Sequence, residues 1–480
     1  MRRAPCGQDG GVHTNVDLAV IGSGSGNSLL SKELADWRVA LFEEGTFGGT
    51  CLNKGCIPTK MFVHPADLAH EAASAGRLGL DTRFLGADWP AIRDRIFRRI
   101  DPISVAGRNF RASRISLFES HVRFVDVHTL RTDAGDTVTA SQVVIAAGSR
   151  PVLPAIEGLA DVPHHTSDTV MRIDALPRRV LIVGGGFVSA EFAHVFSAFG
   201  SAVTVVNRSG RLLRGEDSDV STRFTDVARA RWDVRLDCEV RRVASYDGGV
   251  RAHLTDGTVV DADLLLLATG RRASTDGLGL DRAGVAVHDD GRVVVDDYQR
   301  TSVPGIWALG DVCNPYQLKH VSNHEARVVR HNLLHPDTMV RADHRYVPSA
   351  VFTSPQVASV GLTEEEAVSA GMPYVTARQS YGDVAYGWAM EDTTGFVKLL
   401  ADPATGRLLG AHVLGTDAAN LIQPLIQAMS FGLTAHDVAR GQYWIHPALM
   451  EVVENALLGL ASAQRGLRST EATSSRRGSA

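Results

Sequence analysis

The sequence predicts an α/β protein built around two doubly wound, mainly parallel sheets. Three observations carry that reading. A run of β-branched and aliphatic residues passes directly into glycines twice, at residues 17–26 and 179–186, each time followed by a helix-like stretch and a second strand, 39–43 and 203–207. That is the strand–helix–strand order of a parallel sheet. The 480-residue length accommodates about three domains. With 44% hydrophobic and 21% charged residues, the composition lets each domain bury its own core.

The same numbers exclude other classes. Lys and Arg total 49 against 54 Asp and Glu, a net charge of −5, which is the wrong sign for a nucleic-acid binder held by phosphate contacts. The five cysteines, Cys6, Cys51, Cys56, Cys238 and Cys313, are too few for a secreted disulfide scaffold and fit a reducing cytoplasm. No apolar run reaches the roughly 18 residues of a membrane-spanning helix. Residues 1–15 read as a flexible leader without the apolar stretch of a signal peptide. Residues 463–480, rich in Ser, Arg, Thr and Ala without apolar periodicity, read as a disordered tail.

In the first unit, GSGSGN at 22–27, Gly22 permits the tight turn, Gly24 lets backbone approach a pyrophosphate, and the helix start that follows favours the negative charge. Asn27 occupies the third-glycine position, so helix and strand are expected to pack differently there. Glu43, 21 residues after Gly22, stands where an acid accepts hydrogen bonds from a ribose. The second unit, GGGFVSAE at 184–191, ends its second strand on Asn207 instead of an acid, with Arg208 and Arg214 following. An acid there grips a 2′-hydroxyl, whereas arginines pair with a 2′-phosphate, so NADPH is favoured over NADH. Two arginines on a solvated loop are the competing reading.

Three later segments, 143–148 (VVIAAG), 264–270 (LLLLATG) and 306–311 (IWALGD), read as buried strands ending in glycine turns, the last with Asp311 placed for a sugar-like chain. Seven arginines fall between Arg93 and Arg114, several three or four residues apart, as on the solvated face of a helix that buries Ile92, Ile96 and Ile100.

The stretch GGTCLNKGCIPTK, residues 48–60, sets Cys51 and Cys56 five positions apart just after the first nucleotide unit. A helical segment with a distortion would bring them within disulfide reach. Two metal ligands or two buried structural thiols are alternatives, although no second Cys or His pair completes a metal site. Beside a dinucleotide site, a close pair in a cytosolic chain is better read as a dithiol that cycles.

These motifs, with ATG at 268–270, Gly310-Asp311, and His446-Pro447 followed by Glu451, resemble the flavoprotein disulfide reductases, the pyridine nucleotide-disulfide oxidoreductase family, in the family's order over about residues 16–462. The resemblance implies two Rossmann-like dinucleotide-binding domains plus an α+β C-terminal dimerisation domain. FAD would take 16–153 and 272–343, NADPH 154–271, and the interface 344–462. Gly22, Gly24 and Glu43 would bind the ADP half of FAD, and Asp311 its ribityl or pyrophosphate region. Gly26, Gly49, Thr50, Gly148, Gly270 and Gly310 would complete the cofactor-binding set. Lys60 would lie near the flavin and pair with Glu191, while Gly184, Gly186, Arg208 and Arg214 would hold NADPH. Phe187 would shield the nicotinamide pocket in place of the family's frequent Tyr.

By the same resemblance Cys56 would be the thiol nearest the flavin and Cys51 the interchange thiol that attacks a small-molecule disulfide. His446 would be the acid–base partner and Glu451 its orienting carboxylate, serving the opposite subunit of a homodimer; an imidazole titrating near neutrality suits proton transfer to a departing thiol. Glu451 needs a bend or helix start to face His446, and Pro447 suits a first helical turn.

Within the family, no Cys pair follows Ser462, as mercuric reductases and large thioredoxin reductases carry, and Asn207 replaces the acid usual in dihydrolipoyl dehydrogenases. GSGSGN departs from the GGGSGG typical of glutathione reductases. The reading is an NADPH-dependent reductase of a low-molecular-weight disulfide, with dihydrolipoyl dehydrogenase or another reductase of the family as the alternative. Neither nucleic acid, membrane nor metal is expected as a partner.

Overall fold

The computed structural model describes residues 11–477, and the surroundings of side chains as far as residue 464. Its first sheet runs Ser116–Phe118, Val39–Phe42, His13–Ile21 and Thr137–Ile145 in parallel, with Ile306–Ala308 beside the end of the last and two antiparallel strands, Thr129–Thr132 and Val122–Asp126, beyond its start. Leu18, Ala19, Val20, Leu41 and Val143 are fully buried, as strands covered on both faces require.

Two sequence expectations change here. The first strand begins at His13, inside the segment read as a leader, because Val12 and His13 already lie against Thr137 at the strand edge. Residues 1–10 of that leader lie outside the described residues. The helix expected after the first glycine turn is two short 3₁₀ turns, Gly26–Leu29 and Lys32–Leu34. Arg111 fills the break: its guanidinium donates to Asn27 Oδ1 at 2.7 Å, to the Leu30 carbonyl, and to the Asn27 carbonyl, which also accepts the Leu30 N–H in the 3₁₀ turn.

The chain leaves the first sheet at Ser149–Pro151 and returns at Arg271–Ala273, and these two segments pair antiparallel as a ribbon. Between them lies a second parallel sheet, ordered Asp233–Arg235, Ala202–Val206, Arg179–Val183, Leu264–Leu267, with a three-stranded antiparallel layer, Val240–Tyr246, Gly249–Leu254 and Val259–Ala262. Helix α3 (Trp89–Ala112) buries Ile96, Phe97 and Ile100 while Arg95, Arg98 and Arg99 face solvent. Ile92, expected in that buried stripe, is only half-buried.

A third sheet, all antiparallel, runs Ser349–Val351, Gln356–Gly361, Leu408–Gly415, Phe396–Ala401, Val375–Ser380. The terminal helix Glu451–Arg477 covers it with Val452, Val453, Ala456, Leu457 and Leu460. That helix continues to Arg477, through residues read as part of a disordered tail; residues 478–480 of that tail lie outside the described residues. The tail lacks apolar periodicity, but a helix already nucleated by the packing of Val452 to Leu460 propagates onward at little cost per added residue. Among the described residues, no helix is long and apolar enough to cross a membrane, and no group of three or more His, Cys, Asp or Glu is placed to hold a metal ion.

Candidate active site

The redox turn is two helices with a break between them: α1 (Gly49–Asn53) and α2 (Cys56–Ser74), separated by Lys54 and Gly55. Only glycine fits at 55, since a Cβ there would meet the Thr50 carbonyl at 2.9 Å and Cys51 Cα at 3.3 Å. Asn53, buried, fixes the approach by donating to the Phe47 and Gly49 carbonyls at 2.9 and 3.0 Å. The distortion brings Cys51 and Cys56 together as free thiols. The Cys51 hydrogen bond, followed by the Lys60 ammonium, draws Cys56 down to about 7 against the opposing effect of burial. Donating that bond, and being partly buried, pushes Cys51 far above the usual thiol range, although Lys319 pulls the other way. The surroundings thus favour the thiolate at Cys56 and the thiol at Cys51.

Lys60, one turn along α2, forms an ion pair with Glu191, which is 4% exposed on α4 (Phe187–Ala198) of the second sheet unit. The same carboxylate oxygen accepts the Phe352 N–H at 2.9 Å, and the Lys60 ammonium lies 4.5 Å from the Phe352 ring centroid. Three parts of the chain therefore meet beside Cys56.

The first glycine loop has little room for side chains. A Cβ on Gly22 would lie 2.3 Å from the Ala146 carbonyl, and one on Gly49 2.6 Å from Gly24 Cα. The close packing expected of the third motif glycine falls at Gly26, whose Cβ would meet Val20 Cγ1 at 2.8 Å and Ala146 Cβ at 2.9 Å; Asn27 instead receives Arg111. Thr50, next to the Gly24–Gly49 contact, lies in the first turn of α1 beside Cys51. Glu43 Oε2 accepts from the Ser23 backbone and hydroxyl at 3.0 and 2.6 Å, which fixes the acid beside the loop. Across the sheet, Asp311 accepts from Ser149 Oγ at 2.7 Å, Gly310 donates its N–H to Glu325 at 2.6 Å, and Gly148 has open space around it.

In the second unit, a Cβ on Gly184 would strike the Ala268 carbonyl at 2.2 Å, whereas Gly186 and Gly270 face open space. Asn207 turns inward, donating to Ser209 and to the Arg211 carbonyl, so it builds the loop. Arg208 and Arg214 are left exposed on that loop, while Arg211 pairs with Glu365 at 3.6 Å. Phe187, 46% exposed, stands at the start of α4. Both loops are glycine cradles with an open side, as backbone binding of a pyrophosphate requires, so the residues present fit FAD at the first and NADPH at the second.

His446 Nδ1 lies 2.7 Å from Glu451 Oε1. The helix start falls at Glu451, with residues 446–450 in turns, so Pro447 is not in the first helical turn as expected from sequence; the Ala448 N–H, at 3.3 Å, donates to the other Glu451 oxygen and bends the chain back. The His446 side chain is 72% exposed and, among the described residues, makes no hydrogen bond to the redox turn of its own chain.

Sequence reasoning missed Lys319 and the Lys54–Asp168 ion pair. Lys319 Nζ donates to Ser25 Oγ at 2.9 Å across 294 positions, and no spacing rule links residues that far apart. Lys54 lies inside the quoted redox motif, and its charge between the two cysteines was the available signal.

The fold and the dithiol beside two glycine cradles define a disulfide oxidoreductase. The chain belongs to the pyridine nucleotide-disulphide oxidoreductase family: the family model matches residues 16–326, and the family's dimerisation domain matches 347–457. It is 56% identical over 455 residues to a mycothione reductase of Mycobacterium tuberculosis, covering 92% of this chain and 99% of that one. A mercuric reductase of Streptomyces lividans is 38% identical, covering 91% of this chain and 94% of the other. Among solved structures, an HOCl-induced flavoprotein disulfide reductase from Escherichia coli, as its Cu(II) complex, superposes with a TM-score of 0.83 at 29% identity, covering 92% and 99%. The chain is an oxidoreductase with FAD and NADPH as cofactors, and it carries a dimerisation domain.

Proposed function

We propose that this enzyme uses NADPH to reduce mycothione, the substrate named in its 56%-identical relative. The observation that carries the mechanism is the meeting of two free cysteines, Cys51 and Cys56, across the α1–α2 break, with the Lys60–Glu191 ion pair one turn along α2. The motifs GSGSGNS, VVNRSGRLLR at 205–214, QLKHVSNHEARVV at 317–329 and WIHPALMEVVENALLGL at 444–460 support the same assignment through their likeness to mycothione reductase. FAD and NADPH, held at the two glycine cradles, would supply the two electrons that open the Cys51–Cys56 disulfide.

The protein's own residues then do the thiol chemistry. Cys51 is a thiol and needs a base before it can attack; His446 of the partner subunit, held by its Glu451, takes that proton. Cys51 Sγ attacks one sulfur of the substrate disulfide, forming a mixed disulfide, and the departing thiolate receives the proton from the same imidazole. The Cys56 thiolate attacks Cys51 Sγ, the Cys51–substrate bond breaks as the Cys51–Cys56 disulfide closes, and the second thiolate departs and takes a proton from solvent through the same imidazole. Two electrons leave the dithiol for the substrate.

In this reading Gly22, Gly24, Gly26, Glu43, Gly49, Thr50, Gly148, Gly310 and Asp311 hold FAD, and Gly184, Gly186, Gly270, Arg208 and Arg214 hold NADPH. Lys60 and Glu191 join the two cofactor units. The domains in this reading are 16–153 with 272–343 for FAD, 154–271 for NADPH, and 344–462 for the interface. The homodimer makes two composite sites and works in the cytoplasm, where a dithiol stays reducible. Steady-state turnover with NADPH or NADH against mycothione, glutathione disulfide and lipoamide tests the assignment. NADPH with mycothione is the fast combination; rapid turnover only with NADH and lipoamide would make the enzyme a dihydrolipoyl dehydrogenase.

A further inference from the structure

Lys54 occupies the break between α1 and α2, so its backbone sets how the two cysteines meet. Its ammonium lies 2.7 Å from Asp168 Oδ2, on the segment leading into the second sheet. Asp168 Oδ1 lies 3.5 Å from Arg271 Nη1 and accepts from the Ser167 hydroxyl at 3.3 Å; Arg271 donates to that hydroxyl at 3.3 Å as well. Arg271, 11% exposed in its side chain, also donates to Ser149 Oγ at 2.9 Å and to the Ser149 carbonyl at 2.7 Å. Ser149 Oγ in turn donates to Asp311 at 2.7 Å. Ser149 and Arg271 belong to the two-stranded ribbon through which the chain leaves and re-enters the first sheet. One continuous polar chain thus runs from the redox turn, through the ribbon, to Asp311.

We infer that Asp168 is a positioning residue for the redox turn, tying Lys54 to the Arg271–Ser149–Asp311 chain so that the break between the cysteines is held in register with the ribbon. The inference rests on the reading of Cys51 and Cys56 as the reactive pair. The leading effects on the thiols are other ones: Cys56 responds first to Cys51, then to burial, Lys60 and Glu191, and Cys51 to Cys56, burial and Lys319. Removing the Lys54 cation also disfavours a nearby thiolate directly, whereas removing the Asp168 anion would by charge alone favour it, so a rise in the Cys56 midpoint in Asp168→Asn reports the geometry of the turn. Loosening the break weakens the sulfur–sulfur hydrogen bond, and Cys56 then titrates at higher pH.

The test is iodoacetamide labelling of dithiothreitol-reduced holoenzyme across pH, with Cys51 and Cys56 resolved by peptide mapping. Lys54→Met and Asp168→Asn each raise the Cys56 midpoint by about half a pH unit, roughly threefold in the thiolate equilibrium, the scale of a half-exposed ion pair. Lys54→Arg keeps the wild-type midpoint, and the double variant Lys54→Met/Asp168→Asn shifts no further than either single one. Lys54 is 45% exposed, so Lys54→Met keeps its fold even where Asp168→Asn does not. A wild-type midpoint near neutrality that neither variant moves, or shifts that add in the double variant, overturns the clasp alone. A wild-type Cys56 that titrates like an ordinary thiol overturns the reading of the pair, and the clasp with it.

Discussion

Glu451, the first residue of the terminal helix, holds His446 Nδ1 at 2.7 Å while the imidazole stays 72% exposed. The hydrogen bond from His446 is the main reason the Glu451 carboxyl sits below its usual range, and a carboxylate on Nδ1 leaves Nε2 to exchange protons. His446→Ala is expected to lower kcat for disulfide reduction by about 10²–10⁴-fold, the range for loss of a general acid–base group. Glu451→Gln costs roughly tenfold. NADPH-dependent reduction of ferricyanide, which needs no thiol protonation, stays near wild type in both. An equal loss of both activities would place the pair outside the proton-transfer step.

Cys56, at about 7, is a thiolate above neutrality and a thiol below it. In reduced enzyme the long-wavelength absorbance of a thiolate beside flavin therefore grows as pH rises through about 7. It survives Cys51→Ser and disappears in Cys56→Ser; the reverse pattern exchanges the roles of the two sulfurs. Lys60→Met removes a cation that favours the thiolate, so the midpoint moves upward, by about half to one unit. An unchanged midpoint would show that Lys60 acts only through Glu191.

The strands and glycine turns were readable because buried parallel strands are continuous apolar runs that end where backbone must approach backbone. Gly22 and Gly184 are such places, each packed on a carbonyl of the strand beside it. The shortened helix after the first turn was not readable, because Arg111, 84 positions away, bonds the Asn27 side chain and the Asn27 and Leu30 carbonyls where a full helix was expected. Asn207 was read correctly as the absence of an acid, but its inward hydrogen bonds depend on a loop conformation that spacing does not encode. The Cys51–Cys56 distortion could be anticipated; the clasp at Lys54 could not, since Asp168 and Arg271 come together only through the ribbon.

Arg208 and Arg214 stand exposed on the loop that Asn207 shapes, free to pair with a 2′-phosphate. Arg208→Ala/Arg214→Ala is expected to raise KM for NADPH by about 10–100-fold, as loss of charge-assisted hydrogen bonds to phosphate does, with KM for NADH little changed. Steady-state kinetics with both coenzymes reads this directly. A parallel rise for both would assign the arginines to a solvated loop.

Lys398, 2% exposed in its side chain, meets Asp217 at 2.8 Å, Asp219 at 2.9 Å and Glu364 at 2.6 Å, bolting the second sheet unit to the third. Lys398→Met strands a buried carboxylate and is expected to cost about 3–5 kcal/mol, seen as a lower denaturation midpoint; Lys398→Met/Asp217→Asn recovers part of it. Burial alone would raise Asp217, but the Lys398 and Glu364 hydrogen bonds outweigh it and hold the carboxyl below its usual range. Its stabilising contribution is therefore complete above the unfolded carboxylate range, about pH 4, and is lost as pH falls through the lower folded value. A midpoint unaffected by Lys398→Met would mean the cluster contributes nothing to holding the units together.

The exposed His446, bonded to Glu451 and to nothing on its own redox turn, leads to a test of the composite site. Cys51→Ser and His446→Ala homodimers are each inactive, for different reasons. When the two are unfolded together and refolded at equal amounts, about half of the dimers are hybrids by random pairing. If each site joins one subunit's cysteines to the other's histidine, a hybrid has one damaged site carrying both lesions and one intact site. Activity should then return to about a quarter of wild type. If cysteines and histidine act within one subunit, every site in every dimer carries a lesion and no activity returns.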